Sequence, residues 1–260
     1  MISFNTQINN INFKSYKHTV SDKFGGILYR GDTCFFRHDL DFDKFADFLN
    51  LKYANTDKVN VIVQACSDGE EAYSLLAVMM DRLGKHVSKF LPIKAGDIDE
   101  EHIQIAKKGN YFIESYEKKY LDFYLEDRYK SYFDINDYNF IFKSFNVKDL
   151  LKNQVKFKKA DILSDAKKIN MTNTVLVARN FWPYLKKDDV VNLIQILRKK
   201  FDKTSTLVIG DYDKQLGIDD LLKNYGFVES SYVNNVFEYM KEPHEKFNFG
   251  IFRKLFNFCN

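Results

Sequence analysis

The chain has 260 residues, of which 45% are hydrophobic and 29% are charged, and its formal net charge is +3. A chain of this length and composition buries a sizeable core, which excludes an intrinsically disordered protein. The lysines are spread along the sequence and form no dense basic block, which favours a solvated surface over a nucleic-acid-binding face.

The sequence shows no targeting or membrane-spanning segment. The N-terminus M-I-S-F-N-T-Q lacks the apolar core of a signal peptide, and no stretch of about 18 apolar residues occurs. Cys34, Cys66 and Cys259 have unrelated spacings that predict neither disulfides nor a metal site, and the five histidines lack metal-binding spacing. We therefore expect a cytoplasmic protein that binds no metal and does not insert into a membrane.

The N-terminal part of the chain precedes the regular α/β pattern. Residues 1–30 are polar with scattered aromatics, and this pattern is compatible with one short helix or a hairpin. Gly31–His38 forms a compact polar and aromatic unit, and a helical pattern through Phe45, Phe48 and Leu49 follows it.

The segment from Val59 to Met80 is the most informative part of the sequence. Val59–Val63 reads as a buried strand, Ala65–Gly69 as a tight turn of small residues, and Glu70 and Glu71 begin an apolar helix. Strand, turn and helix N-terminus together are typical of a doubly wound nucleotide-binding sheet. The turn has one glycine, and the two carboxylates would repel a pyrophosphate. This predicts a positively charged nucleoside without phosphates, and S-adenosylmethionine fits that description.

The α/β alternation continues after this segment and is interrupted once. Phe90–Ala95 predicts a second strand, and residues 100–108 predict a helix. Between Tyr111 and Lys159 aromatics and lysines increase, with a helical pattern at Tyr116–Tyr132 and a strand pattern at Asn139–Val147. We interpret this region as an insertion, for which a small packing subdomain is an equally good interpretation.

Further strands and helices complete the pattern of a doubly wound α/β sheet. The predicted strands are Val155–Asp161, Thr174–Asn180, Thr206–Gly210 and Tyr232–Tyr239. The predicted helices have apolar positions between Val190 and Leu197 and across Leu221–Phe227, the latter closed by a glycine. The basic and aromatic tail after residue 240 is a candidate amphipathic end that docks on the body or on a partner.

Acidic residues follow two of these strands. Asp97 lies about where a ribose-binding carboxylate is expected, and Asp99 is its rival for that role. Asp161 could accept a hydrogen bond from an adenine amino group, although an N-cap for the following helix is about as good an interpretation.

The string A-R-N-F-W-P-Y follows the strand that begins at Thr174. Because ligands of open α/β sheets bind at the carboxyl ends of strands, Arg179, Asn180 and Tyr184 are expected to border the pocket. Trp182 and Pro183 can hold this loop rigid. Arg179 could also be a plain surface arginine, but a charge directly after an apolar strand favours a functional role.

These motifs together resemble the bacterial chemotaxis receptor methyltransferases of the CheR type. The resemblance is carried by S-x-G-E-E-x-Y-S-L, by D-I-D with a later G-x-Y, by R-N followed by a tyrosine, and by T-C-F-F-R at Thr33–Arg37. It covers about residues 28–240 in the correct order.

The resemblance implies an α/β doubly wound, Rossmann-like methyltransferase fold with a small inserted antiparallel β-subdomain and a shortened N-terminal segment. It places that segment at residues 1–50, the S-adenosylmethionine-binding domain at 51–245 with its insertion at about 112–159, and the basic aromatic tail at 246–260.

The resemblance also implies the site. Arg37 and Tyr184 would be catalytic, Arg37 as a clamp for the substrate carboxylate and Tyr184 close to the transferred methyl. Glu71 would contact the amino group of the cofactor, and Asp97 its ribose. Glu70 is interpreted as a helix-start carboxylate. The implied cofactor-binding residues are Thr33, Arg37, Glu71, Asp97, Asp161, Ile162, Arg179 and Asn180.

The implied reaction is methyl transfer from S-adenosylmethionine to glutamate carboxylates on the cytoplasmic domains of methyl-accepting chemotaxis receptors. A carboxylate is already ionised at pH 7, so this chemistry requires no catalytic histidine or cysteine. A non-catalytic scaffold or sensor that keeps the cofactor site is the alternative, which the presence of both Arg37 and Tyr184 disfavours. A nucleic-acid methyltransferase is suggested only by the basic and aromatic composition.

Overall fold

A seven-stranded sheet forms the centre of the computed structural model, which describes residues 19–21, 27–30, 33–114, 130–137 and 142–240. In chain order its strands are β3 (Asn60–Gln64), β4 (Ile93–Asp97), β8 (Val155–Lys159), β9 (Thr174–Val177), β10 (Thr206–Val208), β11 (Phe227–Glu229) and β12 (Val236–Tyr239). Their order across the sheet is β11-β12-β10-β9-β3-β4-β8.

Strands β10, β9, β3, β4 and β8 run parallel, and β12 runs antiparallel to both β10 and β11. The first strand of this set, β3, has β4 on one side and β9 on the other. The direction of winding therefore reverses beside β3, and ligands of such sheets bind at the carboxyl ends of the strands at this switch point.

Helices cover both faces of the sheet. They are α1 (Phe42–Lys52), α2 (Glu70–Leu83), α3 (Glu100–Lys108), α4 (Asp149–Lys152), α5 (Ile162–Asp165), α6 (Lys187–Lys200), α7 (Asp211–Gln215) and α8 (Ile218–Asn224). Short 3-10 helices span Gly84–Phe90 and Trp182–Tyr184. None of the described helices is long and apolar enough to cross a membrane.

Alternation along β3 divides the core into two layers. Val61 and Val63 are buried in a cluster with α1 and α2, whereas Ile62 is buried in a second cluster with α6 and α8. Because successive side chains of a strand point to opposite faces, this pattern requires helices on both sides of the sheet. The expected doubly wound α/β fold is confirmed.

A second, antiparallel sheet has the order β5-β7-β6, formed by β5 (Asn110–Glu114), β6 (Phe133–Asp137) and β7 (Phe142–Val147). The next strand, β8, already belongs to the main sheet. The predicted insertion bound of about 159 is therefore corrected, since residues 155–159 are part of the main sheet. Most of the helix predicted at Tyr116–Tyr132 and the start of the strand predicted at Asn139–Val147 lie outside the described residues, as does the tail 246–260.

Several predicted boundaries are also corrected. Strand β4 begins at Ile93 and not at Phe90, because Phe90 ends a 3-10 helix and Pro92 has no N–H to donate to a ladder. Strand β12 begins after Asn235, which has a φ of +67° and cannot continue a strand. Near the N-terminus, β1 (Thr19–Ser21) and β2 (Ile27–Arg30) pair antiparallel, which agrees with the hairpin option.

Candidate functional site

The turn that follows β3 has a strained backbone. Ala65 and Ser67 have φ values of +53° and +47°, and Gly69 has a φ of +93°. Left-handed conformations of non-glycine residues cost about 1–2 kcal/mol each. Such strain is retained where the surrounding structure enforces it, and it is concentrated at functional sites.

Neighbouring elements enforce the conformation of this turn. A Cβ added at Gly69 would lie 2.8 Å from Ala106 Cβ and 3.0 Å from the Phe157 ring, so only glycine lets α3 and β8 approach this closely. The Cys66 N–H donates to the Gly96 carbonyl at 3.0 Å, which joins the turn to the end of β4. The turn and the end of β4 thus form one rigid edge of the main sheet.

Asp97 lies at the end of β4 against this turn. Its carboxylate accepts hydrogen bonds from the backbone N–H groups of Ser67 and Asp99, both at 2.9 Å. Burial raises the pKa of Asp97, although these two hydrogen bonds act in the opposite direction. Asp99, the rival for the ribose, instead caps α3 by accepting from the Glu101 N–H at 2.8 Å. The structure therefore separates the two carboxylates by role.

Asp161 performs the capping function that was the alternative interpretation of its sequence position. Its side chain accepts from the Leu163 N–H at 3.0 Å at the start of α5. Ile162 is buried at the same helix start, within the core cluster of α6 and α8.

Arg179 is buried, and its terminal nitrogens bind protein carboxylates. Its guanidinium donates to Glu71 on α2 and to Asp39 in the loop before α1, and its side chain is 1% exposed. Burial opposes this charge, but the two carboxylates outweigh it and raise the pKa of Arg179. The arginine therefore neutralises Glu71 and ties the loop that contains Asp39 to the end of β9. This excludes the plain surface arginine.

Asn180 lies in a second polar layer beside Arg179. It adopts a φ of +57°, its N–H donates to Asp213 Oδ2 at 2.6 Å, and its Nδ2 donates to Asp39 Oδ2 at 3.3 Å. Burial raises the pKa of Asp213 to about 7. Gly210 is required here because an added Cβ would lie 2.2 Å from Asn180 Oδ1.

Thr33 and Arg37 lie against the first turn of α2. The Thr33 side chain forms a hydrogen bond with Glu70, and the charge of Arg37 acts on the same carboxyl group. Glu70 is 9% exposed, and burial raises its pKa to about 8. Glu70 begins α2, as predicted, but it is buried, whereas glutamate side chains are mostly exposed.

The loop that carries Arg37 also contacts the antiparallel sheet. The Phe35 ring lies 4.3 Å from the Phe145 ring centroid, 5.0 Å from that of Tyr111 and 5.7 Å from that of Phe133. The loop is thus held between the antiparallel sheet, α2 and the segment that follows β9.

Tyr184 ends the short 3-10 helix after β9 and is half-buried. Trp182 in this helix is buried, and its Nε1 donates to the Ala178 carbonyl at 2.7 Å. This bond anchors the loop, as the sequence predicted for Trp182.

Four polar residues of this region, Asp39, Asp68, His102 and Asp213, were not predicted as site residues from the sequence. His102 Nδ1 lies 2.6 Å from Asp68 Oδ1. Burial disfavours protonation of His102, but the hydrogen bond and charge of Asp68 outweigh this and raise the pKa of His102. Asp213 follows a buried strand in G-D-Y-D, which is a usable signal, whereas no local pattern identifies Asp39 or His102.

The hydrogen-bond acceptors of this site fit a cationic, phosphate-free nucleoside. Glu71, in the first turn of α2, and Asp97, at the end of β4, both lie at the switch point, where an ammonium and ribose hydroxyls can donate to their carboxylates. The nearest buried cation, Arg179, is already paired and offers no phosphate site. Among the described residues no cluster suited to a metal ion occurs.

Comparison with known proteins identifies the family. The model of the CheR methyltransferase SAM-binding domain matches residues 31–229. The chain belongs to this family. The CheR-type chain is therefore an S-adenosylmethionine-dependent methyltransferase, and its cofactor is S-adenosylmethionine. No curated protein matches its sequence.

Solved methyltransferase structures also resemble the CheR-type chain. A TehB-like SAM-dependent methyltransferase from Corynebacterium glutamicum is 10% identical at a TM-score of 0.38, over 76% of this chain and 88% of the other. Magnesium protoporphyrin IX methyltransferase from Synechocystis with bound SAM is 14% identical at 0.35, over 76% of each chain. The glycopeptide N-methyltransferase MtfA, complexed with SAM, is 10% identical at 0.33, over 63% of this chain and 48% of the other. The chain thus spans about half the length of MtfA.

Proposed function

We propose that this methyltransferase transfers the methyl group of S-adenosylmethionine to glutamate side chains of chemotaxis receptors and forms glutamyl methyl esters. The observation that carries the proposal is the placement of Arg37. Its loop is held against α2 through Thr33 and joined to the end of β9 through Asp39, so a carboxylate-binding side chain lies beside the cofactor-binding edge.

The acceptor needs little chemical activation. A glutamate side chain with a pKa near 4.3 is ionised at neutral pH, so the enzyme requires no general base to create the nucleophile. When bound, S-adenosylmethionine supplies an electrophilic methyl group on a sulfonium. The remaining task of the protein is to place the acceptor oxygen in line with that methyl group.

Named residues carry out this positioning. Glu71 and Asp97 hold the cofactor through its ammonium group and ribose, with Thr33, Asp161, Ile162 and Asn180 as further contacts. Arg37 binds the acceptor carboxylate by charge-assisted hydrogen bonds. Tyr184 orients the reacting groups through its hydroxyl.

Arg179 acts on the cofactor site through Glu71. With both terminal nitrogens of its guanidinium engaged, Arg179 offsets part of the negative charge that Glu71 and Asp39 place together in a buried region. In this proposal it fixes the orientation of Glu71 toward the cofactor.

A further part of the proposal concerns the receptor. The antiparallel sheet of β5, β6 and β7 contacts the loop of Arg37 through Phe35, so a receptor docked there lies next to the acceptor-binding residue. We place the receptor's cytoplasmic domain against this sheet.

The test is methyl transfer from labelled S-adenosylmethionine to membranes that contain chemotaxis receptors, followed by a base-labile methanol assay. Arg37→Ala should lower transfer at least about a hundredfold through the loss of a charge-assisted bond and of orientation, while calorimetric cofactor affinity stays within about threefold.

An alkali-resistant methylated product would reject the ester. Cofactor binding by the wild type without any transfer would support the scaffold or sensor alternative. Unchanged transfer by Arg37→Ala would show that another residue binds the acceptor.

A further inference from the structure

Glu70 is a buried acidic group that contacts the loop of Arg37 through the Thr33 hydrogen bond. It is the first residue of α2, and it is 9% exposed. Its Oε2 atom has no hydrogen-bond partner among the described residues. A buried carboxyl oxygen without a partner is costly, so its retention beside Thr33 and Arg37 calls for a role.

The backbone around Glu70 fixes the loop that carries Arg37. The Phe36 N–H donates to Ser74 Oγ at 2.9 Å, and Ser74 Oγ donates to the Glu70 carbonyl at 2.7 Å. Phe36 itself has a φ of +51°. The loop is therefore held in one strained conformation against the first turn of α2, with Glu70 and Arg37 near each other.

The charged and titratable groups that act on Glu70 come from several elements. Arg37 lies on the loop, Asp68 and Cys66 lie in the turn after β3, and Tyr111 lies on β5. Burial and the charge of Asp68 disfavour the ionised carboxylate, whereas Arg37 and Thr33 favour it. The first two effects prevail, since the pKa of Glu70 is raised to about 8.

We propose that Glu70 is a positioning residue for the acceptor: its carboxyl group holds Thr33, and when it is ionised it also competes with the acceptor for Arg37. This inference rests on the proposed function, because it assigns to Arg37 the acceptor carboxylate. It adds a pH-dependent control of acceptor affinity, which follows neither from the family assignment nor from the cofactor site.

The two ionisation states give different kinetics. At pH 7 the neutral acid places no second negative charge beside the acceptor carboxylate. Above pH 8 an ionised Glu70 forms a local ion pair with Arg37 that an acceptor must disrupt. The KM for the receptor should therefore rise about tenfold between pH 7 and pH 9, while kcat changes little.

The experiment measures KM and kcat for receptor-containing membranes from pH 6.5 to 9 at saturating S-adenosylmethionine. Cofactor affinity is measured at each pH, because the α-amino group of the cofactor titrates at about 7.7–8.0. The variants are Glu70→Gln and Glu70→Ala, and the control is Glu100→Gln, which changes the exposed first residue of α3.

Glu70→Gln should keep the low KM of the wild type at pH 7 and show no rise to pH 9, since an amide cannot ionise. Glu70→Ala should have a raised KM at pH 7 because Thr33 loses its partner, and it should show no further rise to pH 9 because alanine carries no charge. Glutamine should thus restore the low KM at pH 7 that alanine loses. Glu100→Gln should follow the wild-type profile.

A wild-type KM that does not change with pH would overturn the inference, whatever the variants do. A Glu70→Gln variant that keeps the wild-type rise would overturn it as well. Wild-type enzyme that transfers no methyl group to receptors would instead overturn the proposed function, and the inference with it.

Discussion

Replacing Arg179 with methionine tests whether the buried charge cluster stabilises the fold. Arg179 is 1% exposed and binds two carboxylates, those of Asp39 and Glu71, which are 8% and 14% exposed. Removing one partner of a buried ion pair costs about 3–5 kcal/mol, because the remaining charges stay desolvated. Arg179→Met should therefore lower the free energy of unfolding by about 3–5 kcal/mol.

The chain provides a matched control at the surface. Arg82 also faces two carboxylates, Asp43 and Asp47, but its side chain is 34% exposed. Exposed pairs contribute about 0–1 kcal/mol, so Arg82→Met should change stability by no more than that.

Urea unfolding at pH 7 gives both values, with equal m-values as the check that each transition is comparable. The double variant Asp39→Asn with Arg179→Met should be more stable than the sum of the single effects by about 0.5–3 kcal/mol. Similar losses for Arg179→Met and Arg82→Met would refute the argument from burial.

Three further outcomes follow from the site. Gly69→Ala should cost at least about 2 kcal/mol in urea unfolding, because its φ of +93° is combined with a 2.8 Å contact. Gly226→Ala, with a φ of +86° and only ordinary 3.4 Å contacts, should cost about 1 kcal/mol, and equal costs would contradict the steric argument. Because burial raises the pKa of Glu70 from 4.5 to about 8, the folded chain keeps a proton that the unfolded chain releases between these values. The stability of the wild type relative to Glu70→Gln should thus fall by about 1.4 kcal/mol per pH unit across that window and level off above it, and parallel stability profiles would refute the shift. Asp97→Asn should weaken calorimetric binding of S-adenosylmethionine about 10- to 100-fold, whereas Asp99→Asn should not, since asparagine also caps a helix.

Local patterns were sufficient for most elements of the fold. The apolar strand at Val61–Val63, the small-residue turn and the helix that begins at Glu70 are all encoded within about four residues of each position. The same holds for the helix 100–108, whose ends match the prediction.

The predicted strand boundaries were wrong where a single residue overrides the apolar pattern. Pro92 and the 3-10 helix before it move the start of β4, and a positive φ at Asn235 delays β12. Strand β11 was not predicted, because Phe227 continues the apolar pattern of the preceding helix. In the structure Gly226, with a φ of +86°, turns the chain between that helix and the strand.

The site residues also divide into those that local patterns predict and those whose roles depend on the folded chain. In the sequence Asp97 is the expected ribose ligand and Asp99 is its rival, and only the folded chain shows which backbone N–H groups each carboxylate contacts. Asp161 likewise shows its helix cap only once α5 is in place.

Local patterns define the alternating α/β architecture, the cationic nucleoside and the motifs around Thr33, Glu71 and Tyr184, because each depends on neighbouring residues. The burial of Arg179 between Glu71 and Asp39 depends on long-range packing, since these residues lie 108 and 140 positions away in the chain. The burial of Glu70 depends on such packing as well. A local pattern defines a helix start, but the desolvation that changes a carboxyl group comes from distant segments packed around it.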